Sequence, residues 1–570
     1  MAFFSPFSRR SSGRFAFRAS HIASAIALLT LGSAHAQSQN EITVTDTAPS
    51  QVSGFGDAPL SKAPFSAVTI DRQTLQDIGA QRVSDALRLD ASVADSYNSP
   101  AYWDVLSVRG YTLDNRYNYR REGLPISAET MIGMDNKERI ELFKGTSGIQ
   151  AGTSAPGGLV NYVVKRPPSA QNSTVRDVSA SFGPGQSSSM ALDLGGRFGQ
   201  DQALGYRFNA AYEHLDPYIR NTEGHRQLLA LAMDWRLTPD SRLEWEFERS
   251  ERQQMGVNAY SLLGNTLPSP VDGQHNLTRQ PWSVPGLFAG QTGSIRFKQN
   301  LQGGWLWTTQ YGAQRLRTDD RLSYAYGCSA QELWDRFCSD GGFDLYDYRS
   351  DKERRSSDAL HTELSGQQTW AGLRHNLSLS VQRSRLLDRP SFMQAYNWAG
   401  TGNIDGTSVS PVAQPTPGDL NTQRSEYTTE VALRNRIELN TQTALWLGMR
   451  HTQLNRASQR TDGSRAVQDQ RSFNTPWLAV THQITPAYSV YGSYGEGIET
   501  DVAPNRSRYT NAGQALPALR SHQTEIGVKG QWAQTRWQAS GFDITRPVAG
   551  DEGTCNEDNT CTRKIDGQAR

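Results

Sequence analysis

Residues that could perform covalent or metal chemistry are few and dispersed in this chain. A nucleophilic enzyme needs its nucleophile within reach of a base, and the sequence contains neither a Gly-x-Ser-x-Gly elbow nor an acidic–His–Ser grouping. The 10 histidines are scattered, and no Cys/His cluster has the spacing of a zinc site. We therefore predict that the chain is not an enzyme, that it holds no metal site and that it has no resident cofactor.

The four cysteines form two close pairs in the sequence, Cys328 with Cys338 and Cys555 with Cys561. Each pair is surrounded by Gly, Asp, Asn and Ser, which are common in loops. Close pairs in such surroundings favour disulfides, and disulfides persist in oxidising compartments. We predict two loop disulfides in a protein that folds outside the cytoplasm.

A dense group of aromatic and guanidinium side chains is the best candidate for non-covalent chemistry. Aromatic faces and guanidinium groups together hold planar and anionic ligands well. The group comprises Tyr97, Tyr102, Trp103, Arg116, Tyr117, Tyr119, Arg120 and Arg121. By type these residues could contact a ligand, or they could only pack one part of the protein against another.

The N-terminal segment has the features of a signal peptide. An apolar stretch over residues 22–31 is too short to span a bilayer as a helix, which needs about 20 residues. Ala34-His35-Ala36 then gives the small-x-small pattern of a cleavage site. A basic region precedes both, formed by Arg9, Arg10, Arg14 and Arg18. We predict a signal peptide over residues 1–36 and a mature chain that begins near Gln37.

Composition excludes one class of partner and leaves the environment open. The net charge is +1 and no long basic run occurs, so nothing argues for nucleic acid. The mean hydropathy of -0.61 is that of a soluble protein. However, transmembrane β-barrels alternate lipid-facing and lumen-facing residues and also average out to polar. The number and pattern of the strands must decide between these two classes.

From about Val175 onward the chain reads as long alternating strands. In one hairpin, apolar residues alternate with small or polar ones from Leu229 to Leu237 and again from Leu243 to Phe247. Glu244, Glu246 and Glu248 form the polar face of its second strand. We count about sixteen such strands, joined alternately by tight turns and long polar loops. Aromatic residues near strand ends, among them Trp235, Tyr488 and Trp532, suit interfacial girdles. This pattern is typical of a transmembrane antiparallel β-barrel.

The preceding region, residues 51–168, predicts a mixed α+β domain. A strand is expected over residues 65–70, and Asp71 could cap the short helix that follows. Residues 83–89 have the apolar spacing of another helix. Short β-rich pieces separated by glycine-rich turns complete the domain.

Two stretches of this domain resemble the plug motifs of the TonB-dependent siderophore receptor family. The first is Leu106-Ser107-Val108-Arg109-Gly110-Tyr111, and the second runs from Glu138 through Ala155-Pro156-Gly157-Gly158 to Lys165-Arg166-Pro167. Residues 491–497 and 524–529 resemble barrel strands of the same family. A β-prone segment suited to adding a strand to a partner's sheet edge also looks like a TonB box, Glu41-Ile42-Thr43-Val44-Thr45.

The resemblance implies an all-β membrane protein with an α+β plug inside a barrel of 22 strands. Residues 37–50 would be a periplasmic leader with the TonB box, residues 51–168 the plug and residues 169–570 the barrel. The expected function is uptake of a ferric siderophore across the outer membrane of a Gram-negative bacterium. Iron would arrive as cargo, and the partners would be TonB with its inner-membrane complex, the siderophore and outer-membrane lipids.

The resemblance also assigns positions to individual residues. The aromatic and guanidinium group would lie on plug loops that face outward and contact the ligand. Arg109 and Arg139 would meet barrel carboxylates inside the lumen, with Glu525 and Glu496 as the candidates. Glu525 is favoured because it lies on the polar face of its strand.

The number of strands and the last residues predict that the barrel is incomplete at its C-terminus. About sixteen strands are counted where the resembled fold has 22. Residues 560–566 read as a loop entering a strand that is then cut. We expect an open or distorted edge between the segments near residues 175–181 and 535–545; the alternative is a smaller, self-sufficient barrel.

Other functions remain open at this stage. The same transport class could carry haem, cobalamin or a glycan, although Lys165-Arg166-Pro167 modestly favours siderophores. A secreted β-rich binding protein would be soluble without detergent and would give no reason for the plug motifs.

Overall fold

The computed structural model describes residues 62–570 except residues 98, 100, 171, 184, 258–259, 270, 411–415, 533–534 and 556–559. The predicted signal peptide, leader and TonB box lie outside the described residues. No described helix is long and apolar enough to cross a membrane.

The first described region is a small α+β domain. Its main sheet has the order β1-β7-β8-β5-β6, with β5 and β8 parallel, and a second sheet has the order β2-β3-β4. The elements are β1 (Ala67–Asp71), α1 (Arg72–Asp77), α2 (Val83–Leu87), β2 (Val93–Asp95), β3 (Leu106–Val108), β4 (Tyr111–Thr112), β5 (Tyr119–Arg121), β6 (Leu124–Pro125), β7 (Lys137–Lys144), α3 (Gly148–Ala151) and β8 (Gly158–Val164). We refer to this domain as the plug.

Local sequence accounts for the start and the core of the plug. The Asp71 carboxylate accepts a 2.8 Å hydrogen bond from the Thr74 backbone N–H, so it caps α1 as predicted. Leu106, Ile140 and Val160 are fully buried in one apolar cluster. The β3, β7 and β8 strands are therefore held to the helices by a shared core.

A large antiparallel sheet of nineteen strands follows in the described part of the chain. The strands are β9 (Val175–Phe182), β10 (Ser188–Phe198), β11 (Leu204–Leu215), β12 (Gly224–Thr238), β13 (Ser241–Gln254), β14 (Gly286–Leu301), β15 (Trp305–Ala325), β16 (Gly342–Trp370), β17 (Leu373–Arg389), β18 (Met393–Asn403), β19 (Ser408–Val409), β20 (Asp419–Leu420), β21 (Thr422–Glu438), β22 (Thr443–Arg460), β23 (Val467–Thr485), β24 (Tyr488–Glu499), β25 (Leu519–Trp532), β26 (Thr535–Gly553) and β27 (Cys561–Ala569). Because β17 pairs directly with β21, the strands β18 to β20 belong to an excursion between them. The other sixteen agree with the number expected from the sequence.

The two faces of this sheet have opposite polarity. Leu229 and Leu231 are exposed on β12, whereas their neighbours Leu228 and Ala230 are buried. On β13, Phe247 is exposed while Glu246 and Glu248 are buried. An apolar outer face around a polar interior is the arrangement of a membrane-spanning barrel and the reverse of a soluble sandwich.

Connections at the two ends of the barrel differ in length. Tight turns join β12 to β13, β16 to β17 and β23 to β24 at one end, which we call the tight-turn end. Long connections at the other end, the outer end, include residues 255–285, 326–341 and 500–518. Both predicted disulfides are present, Cys328–Cys338 and Cys555–Cys561, and both lie at the outer end.

The junction between the first and last barrel strands differs from the open or distorted edge that we expected. The strand order is that of a closed barrel in which β27 stands between β26 and β9, rather than a sheet with an open edge. Residue-by-residue registers among the described strands join β9 to β10 and β27 to β26, and none joins β27 to β9. The segment that we expected to be a loop entering a cut strand is therefore largely part of β27.

The polarity of the barrel predicts the effect of a charge on its outer face. Leu433 is 54% exposed and lies five residues from the tight-turn end of β21, near the middle of an apolar band about 25 Å tall. Leu433→Arg should lower the free energy of unfolding in lipid bilayers by about 2–4 kcal/mol, because arginine at the bilayer midplane must be desolvated. Leu433→Met keeps the apolar face and is the control. Equal unfolding free energies for the two variants would contradict a lipid-facing position.

Candidate functional site

A buried ion pair joins the plug to the barrel wall between Arg109 and Glu525. Arg109 Nη1 lies 2.7 Å from Glu525 Oε2, and the two side chains are 2% and 0% exposed. Gln523 Nε2 donates to the same carboxylate at 3.0 Å, and the Tyr491 hydroxyl donates to its other oxygen at 2.5 Å. The predicted pair is thus formed, and hydrogen bonds satisfy the rest of the carboxylate, as a buried charge requires.

The turn between β3 and β4 aims Arg109 at this carboxylate. Arg109 has a φ of 54°, in the left-handed region that non-glycine residues rarely adopt. Its backbone N–H donates to the Ser92 carbonyl at 2.8 Å, which fixes the turn. The guanidinium group also lies 4.0 Å above the Phe542 ring of β26. The conformation is therefore held by contacts on both sides of the plug–barrel interface.

Glu525 also contacts the beginning of the described plug. Its Oε1 accepts a 2.9 Å hydrogen bond from the Ser66 backbone N–H, one residue before β1. One wall carboxylate therefore holds both the start of the plug and the turn that carries Arg109.

The other two residues of the predicted lock have different partners. Arg139 Nε donates to Glu141 Oε1 at 2.8 Å within the same plug strand. Glu496 accepts from Arg520 and, at 2.9 Å, from the Tyr494 hydroxyl, both on neighbouring positions of the wall. The assignment of Glu496 to a plug arginine is therefore wrong, because β24 turns this side chain toward β25 instead of the plug.

A second set of ion pairs, which the sequence did not identify, anchors the plug to β13. Arg121 bonds Glu246 and Glu248, each at 2.6 Å, and Lys137 Nζ lies 2.9 Å from Glu248. All four side chains are buried. The glutamates were visible in the sequence as a row on the polar face of one strand. The spacing of residues did not indicate which plug cations they would pair with.

Glu122 forms a third anchor between plug and wall. Its carboxylate lies 2.9 Å from Arg166 at the end of the plug and 2.6 Å from Arg296 on β14. The backbone N–H of Val164 donates to it at 2.7 Å. These three groups hold the pKa of Glu122 well below its usual range against the opposing effect of burial. Glu122 is therefore an anion that ties two plug segments to one wall arginine.

The short helix α3 is clamped by the barrel through its backbone. Arg450 Nε donates to the Ile149 carbonyl at 2.9 Å, and Arg450 Nη2 donates to the Gln150 carbonyl at 3.0 Å. A side chain at Gly148 would place its Cβ 2.2 Å from the Glu496 carbonyl oxygen. Glycine is required here because the plug and the wall approach at backbone distance.

Aromatic side chains gather where the plug reaches the outer end of the barrel. Tyr97 and Tyr102 stack with ring centroids 5.3 Å apart, and Trp103 lies 4.1 Å from Tyr102. The Tyr102 and Trp103 rings each lie nearly perpendicular to the Phe288 ring of β14, with ring centroids 5.6 Å apart in both pairs. The Tyr102 hydroxyl donates to Asp320 on β15 at 2.6 Å. Burial and the Asp320 carboxylate raise the pKa of Tyr102 well above its usual value, so the hydroxyl remains a donor.

More tyrosines continue this surface along the wall. Tyr324 lies four residues beyond Asp320 on β15, so the two side chains share a face. Tyr324, Tyr346 and Tyr396 have ring centroids 5.4–5.9 Å apart. We call the space lined by Tyr97, Tyr102, Trp103, Tyr324, Tyr346 and Tyr396 the vestibule.

Arg116 and Tyr117 form a charged corner of the same outer region. The Tyr117 hydroxyl donates to Glu426 at 2.8 Å and accepts from Arg456 at 2.7 Å. The Arg116 guanidinium lies 5.3 Å above the Tyr117 ring and pairs with Asp114 at 3.0 Å. These groups are half-buried and already paired. They can bind an anionic ligand only if some of these hydrogen bonds or ion pairs are released first.

Three residues of the predicted ligand surface are placed elsewhere. Tyr119, Arg120 and Arg121 are β5, which pairs with β8 inside the plug, and all three are buried. Arg120 donates to the carbonyl oxygens of Tyr117 and Ala151, and Arg121 forms an ion pair with Glu248 of β13. We therefore withdraw these three residues from the ligand surface: the strand carries them into the interface between plug and wall.

Comparisons with known proteins agree with this architecture. A family model described as TonB dependent receptor-like, beta-barrel matches residues 234–547, and the TonB-dependent Receptor Plug Domain matches residues 59–159. The ferrichrome outer membrane transporter/phage receptor of Escherichia coli is 22% identical over 83% of this chain and 65% of its own length. The ferripyoverdine receptor of Pseudomonas aeruginosa is 20% identical over 84% of this chain and 58% of its own length. The chain thus spans less than two thirds of these relatives.

A solved structure shows the same fold. The siderophore receptor PiuA from Acinetobacter baumannii superposes with a TM-score of 0.77 at 15% identity, covering 93% of this chain and 78% of that protein. At this identity the likeness concerns the fold alone.

The geometry of the first ion pair predicts how the plug responds to its loss. Arg109→Ala leaves Glu525 buried without its cation, so the plug should lose about 3–5 kcal/mol of stability. Arg116→Ala is the control: the Arg116 and Asp114 side chains are 33% and 31% exposed, so water can reach the charge that is left, and the pair should be worth about 0–1 kcal/mol. Hydrogen exchange of plug amides in the folded barrel measures both changes.

The double variant Arg109→Ala with Glu525→Gln separates the pair from other effects. Removing both charges should recover part of the loss, because no uncompensated charge then remains. Full additivity of the two single variants would show that the contact is not an energetic coupling.

Proposed function

Because this chain belongs to the family of TonB-dependent receptors, we propose that it is an outer-membrane receptor and active transporter for a ferric siderophore. The observation that carries the proposal is the aromatic vestibule, which lies above a plug held in a polar lumen. Aromatic faces suit the planar chelate of such a ligand, and the guanidinium corner suits its negative charge.

The names of similar proteins support this cargo class. They include receptors described as binding ferrichrome and ferripyoverdine, and a catecholate siderophore receptor. These relatives carry chemically different chelates, so the particular siderophore of this chain is not inferred from them. Haem, cobalamin or a glycan is the alternative cargo, and it would have to use the same vestibule.

The proposed ligand surface keeps five of the eight residues predicted from the sequence. Tyr97, Tyr102 and Trp103 form its aromatic floor, and Arg116 and Tyr117 its charged corner. The wall tyrosines Tyr324, Tyr346 and Tyr396 extend it, and these were not identified from the sequence because they come from three separate strands. The role is binding and transport rather than catalysis.

Coupling to energy is proposed to run through the start of the plug. TonB, driven by its inner-membrane complex, would pair with the segment Glu41-Ile42-Thr43-Val44-Thr45 as an added strand. A pull on this leader would strain the hydrogen bond from Ser66 to Glu525 before it strained the rest of the plug, because Ser66 comes first along the chain. Since Arg109 shares that carboxylate, the same pull would strain the turn below the ligand surface.

Tyr97→Ala with Tyr396→Ala tests the ligand surface. Both side chains are about half exposed, so their loss should leave the fold intact while weakening binding of the cognate ferric siderophore at least tenfold, about 1.4 kcal/mol. Tyr212→Ala with Tyr494→Ala removes two exposed tyrosines from the outer face of the barrel and is the matched control. Equal affinities of the two double variants, measured by fluorescence titration of the purified protein, would reject the vestibule as the binding site.

Ile42→Pro tests the proposed TonB box. Proline lacks the backbone donor and fixes φ, so strand addition to TonB should fail and uptake should stop while siderophore binding stays unchanged. Ile42→Val preserves the β-prone character and should transport normally. Iron uptake that persists in Ile42→Pro would place the coupling segment elsewhere.

A further inference from the structure

Asp320 of β15 has a buried oxygen that no described residue satisfies. Asp320 is 6% exposed, and its Oδ2 accepts the 2.6 Å hydrogen bond from the Tyr102 hydroxyl. Its Oδ1 is buried and has no hydrogen-bond partner in the described part of the chain. Asp320 also lines a small cavity beside Tyr102 and Phe288. Because a buried carboxylate is costly unless a partner compensates it, the site lacks a positively charged donor.

The charges nearest to Asp320 do not balance. Glu353 and Glu129 are close enough to repel its charge, and the three carboxylates share the guanidinium of Arg355. Arg355 lies 2.6 Å from Glu129 and 2.9 Å from Glu353, and among the described residues it forms no ion pair with Asp320. Three carboxylates thus face one guanidinium, which leaves a surplus of two negative charges.

The next cations along the wall have carboxylates of their own. Arg424 lies 3.6 Å from Asp388, and Arg321, which also lines the cavity, lies 2.6 Å from Asp351. Neither of these pairs changes the balance at Asp320. A positive group that compensates Asp320 must therefore come from a ligand.

Two stacked tyrosines give the same place a second feature that favours cations. The Tyr97 and Tyr102 rings are nearly parallel, with centroids 5.3 Å apart, and Tyr97 is close enough to act on the Asp320 charge. Tyr97 is about half exposed toward the vestibule. The neighbouring Trp103 ring already has the Arg355 guanidinium 5.7 Å above it. Since aromatic faces attract cations, tyrosine rings beside a carboxylate suit an ammonium group.

We propose that Asp320, Tyr97 and Tyr102 form a subsite for a cationic nitrogen on an arm of the transported chelate, an ammonium or a guanidinium group. The nitrogen would donate to Oδ1 of Asp320, while the Tyr102 hydroxyl keeps its bond to Oδ2. This inference rests on the proposed transport function and narrows its cargo to ferric siderophores that carry a positive charge outside the iron centre. Negative charge at the iron centre would still suit the corner formed by Arg116 and Tyr117.

Matched pairs of ferric chelates test the proposal. Ferrioxamine B is a tris-hydroxamate chelate with a pendant primary ammonium, and N-acetylation of its amine removes that charge without changing the iron centre. A tris-catecholate chelate made with a pendant primary amine, free or acetylated, gives a second pair. The dissociation constant of each chelate is measured by quenching of tryptophan fluorescence in the purified receptor.

Asp320→Asn is the test variant, and Asp358→Asn is the matched control. Asp358 of β16 likewise accepts a hydrogen bond from a tyrosine hydroxyl, that of Tyr311, at 2.9 Å. However, the hydroxyl of its neighbour Ser357 donates to the Pro125 carbonyl of the plug at 3.0 Å, so alternation turns Asp358 outward. The control therefore removes a similar carboxylate from the opposite face of the wall.

We expect the unaltered protein to bind the amine form of at least one pair at least tenfold more tightly than the acetylated form. Asp320→Asn should bind both forms of that pair equally, and Asp358→Asn should keep the preference. Equal binding of the two forms by the unaltered protein, or a preference that persists in Asp320→Asn, would overturn the inference and leave the proposed function standing. Absence of binding by every chelate would count against the proposed function and overturn the inference with it.

If Asp320→Asn does not fold, Tyr97→Leu carries the test. Leucine keeps an apolar side chain at this half-exposed position and removes only the aromatic face, so the preference for the amine form should fall at least threefold. Tyr212→Leu, on the outer face of the barrel, is the control and should keep the preference. Equal preferences in Tyr97→Leu and Tyr212→Leu would contradict the subsite.

Discussion

Charge pairing inside the lumen is the constraint on which the rest of this structure depends. A carboxylate or guanidinium buried without a partner is strongly destabilising, so each charge on the inner wall needs a partner in the correct position, and several of these partners are plug groups. Glu525 with Arg109 and Glu248 with Lys137 satisfy this rule on different sides of the barrel. These pairs select one position of the plug rather than simply adding stability, because a small displacement would leave several charges unpaired at once.

This constraint follows from the polarity of the barrel. The outer face is apolar because it meets lipid, and the alternation of each strand then makes the inner face polar. A polar lumen can be filled by a polar plug that is held through hydrogen bonds and ion pairs, which can exchange with water when the plug moves. The proposed transport role uses this property, because the Ser66 backbone and the Arg109 guanidinium are held by the same wall carboxylate, Glu525.

The sequence predicted those features that depend on local periodicity. Alternation identified the barrel strands, and the polar face of β25 correctly placed Glu525 toward the plug. Partner choice was predicted less well, since the β13 glutamates and their plug cations are more than a hundred residues apart in the chain. Which strand faces which plug loop depends on strand tilt and stagger, and neither is encoded in the spacing of single residues. For the same reason Tyr119 and Arg120 were assigned to the ligand surface, although β5 buries them.

The central claim is that the vestibule of this plugged barrel receives a ferric chelate. Titrating the purified protein with ferric siderophores of the hydroxamate, catecholate and mixed classes, and with their iron-free forms, haem and cobalamin, tests it most directly. The account predicts saturable quenching of tryptophan fluorescence by at least one ferric siderophore, because Trp103 lies in the vestibule floor. Saturable binding of haem or cobalamin with no response to any ferric siderophore would contradict it.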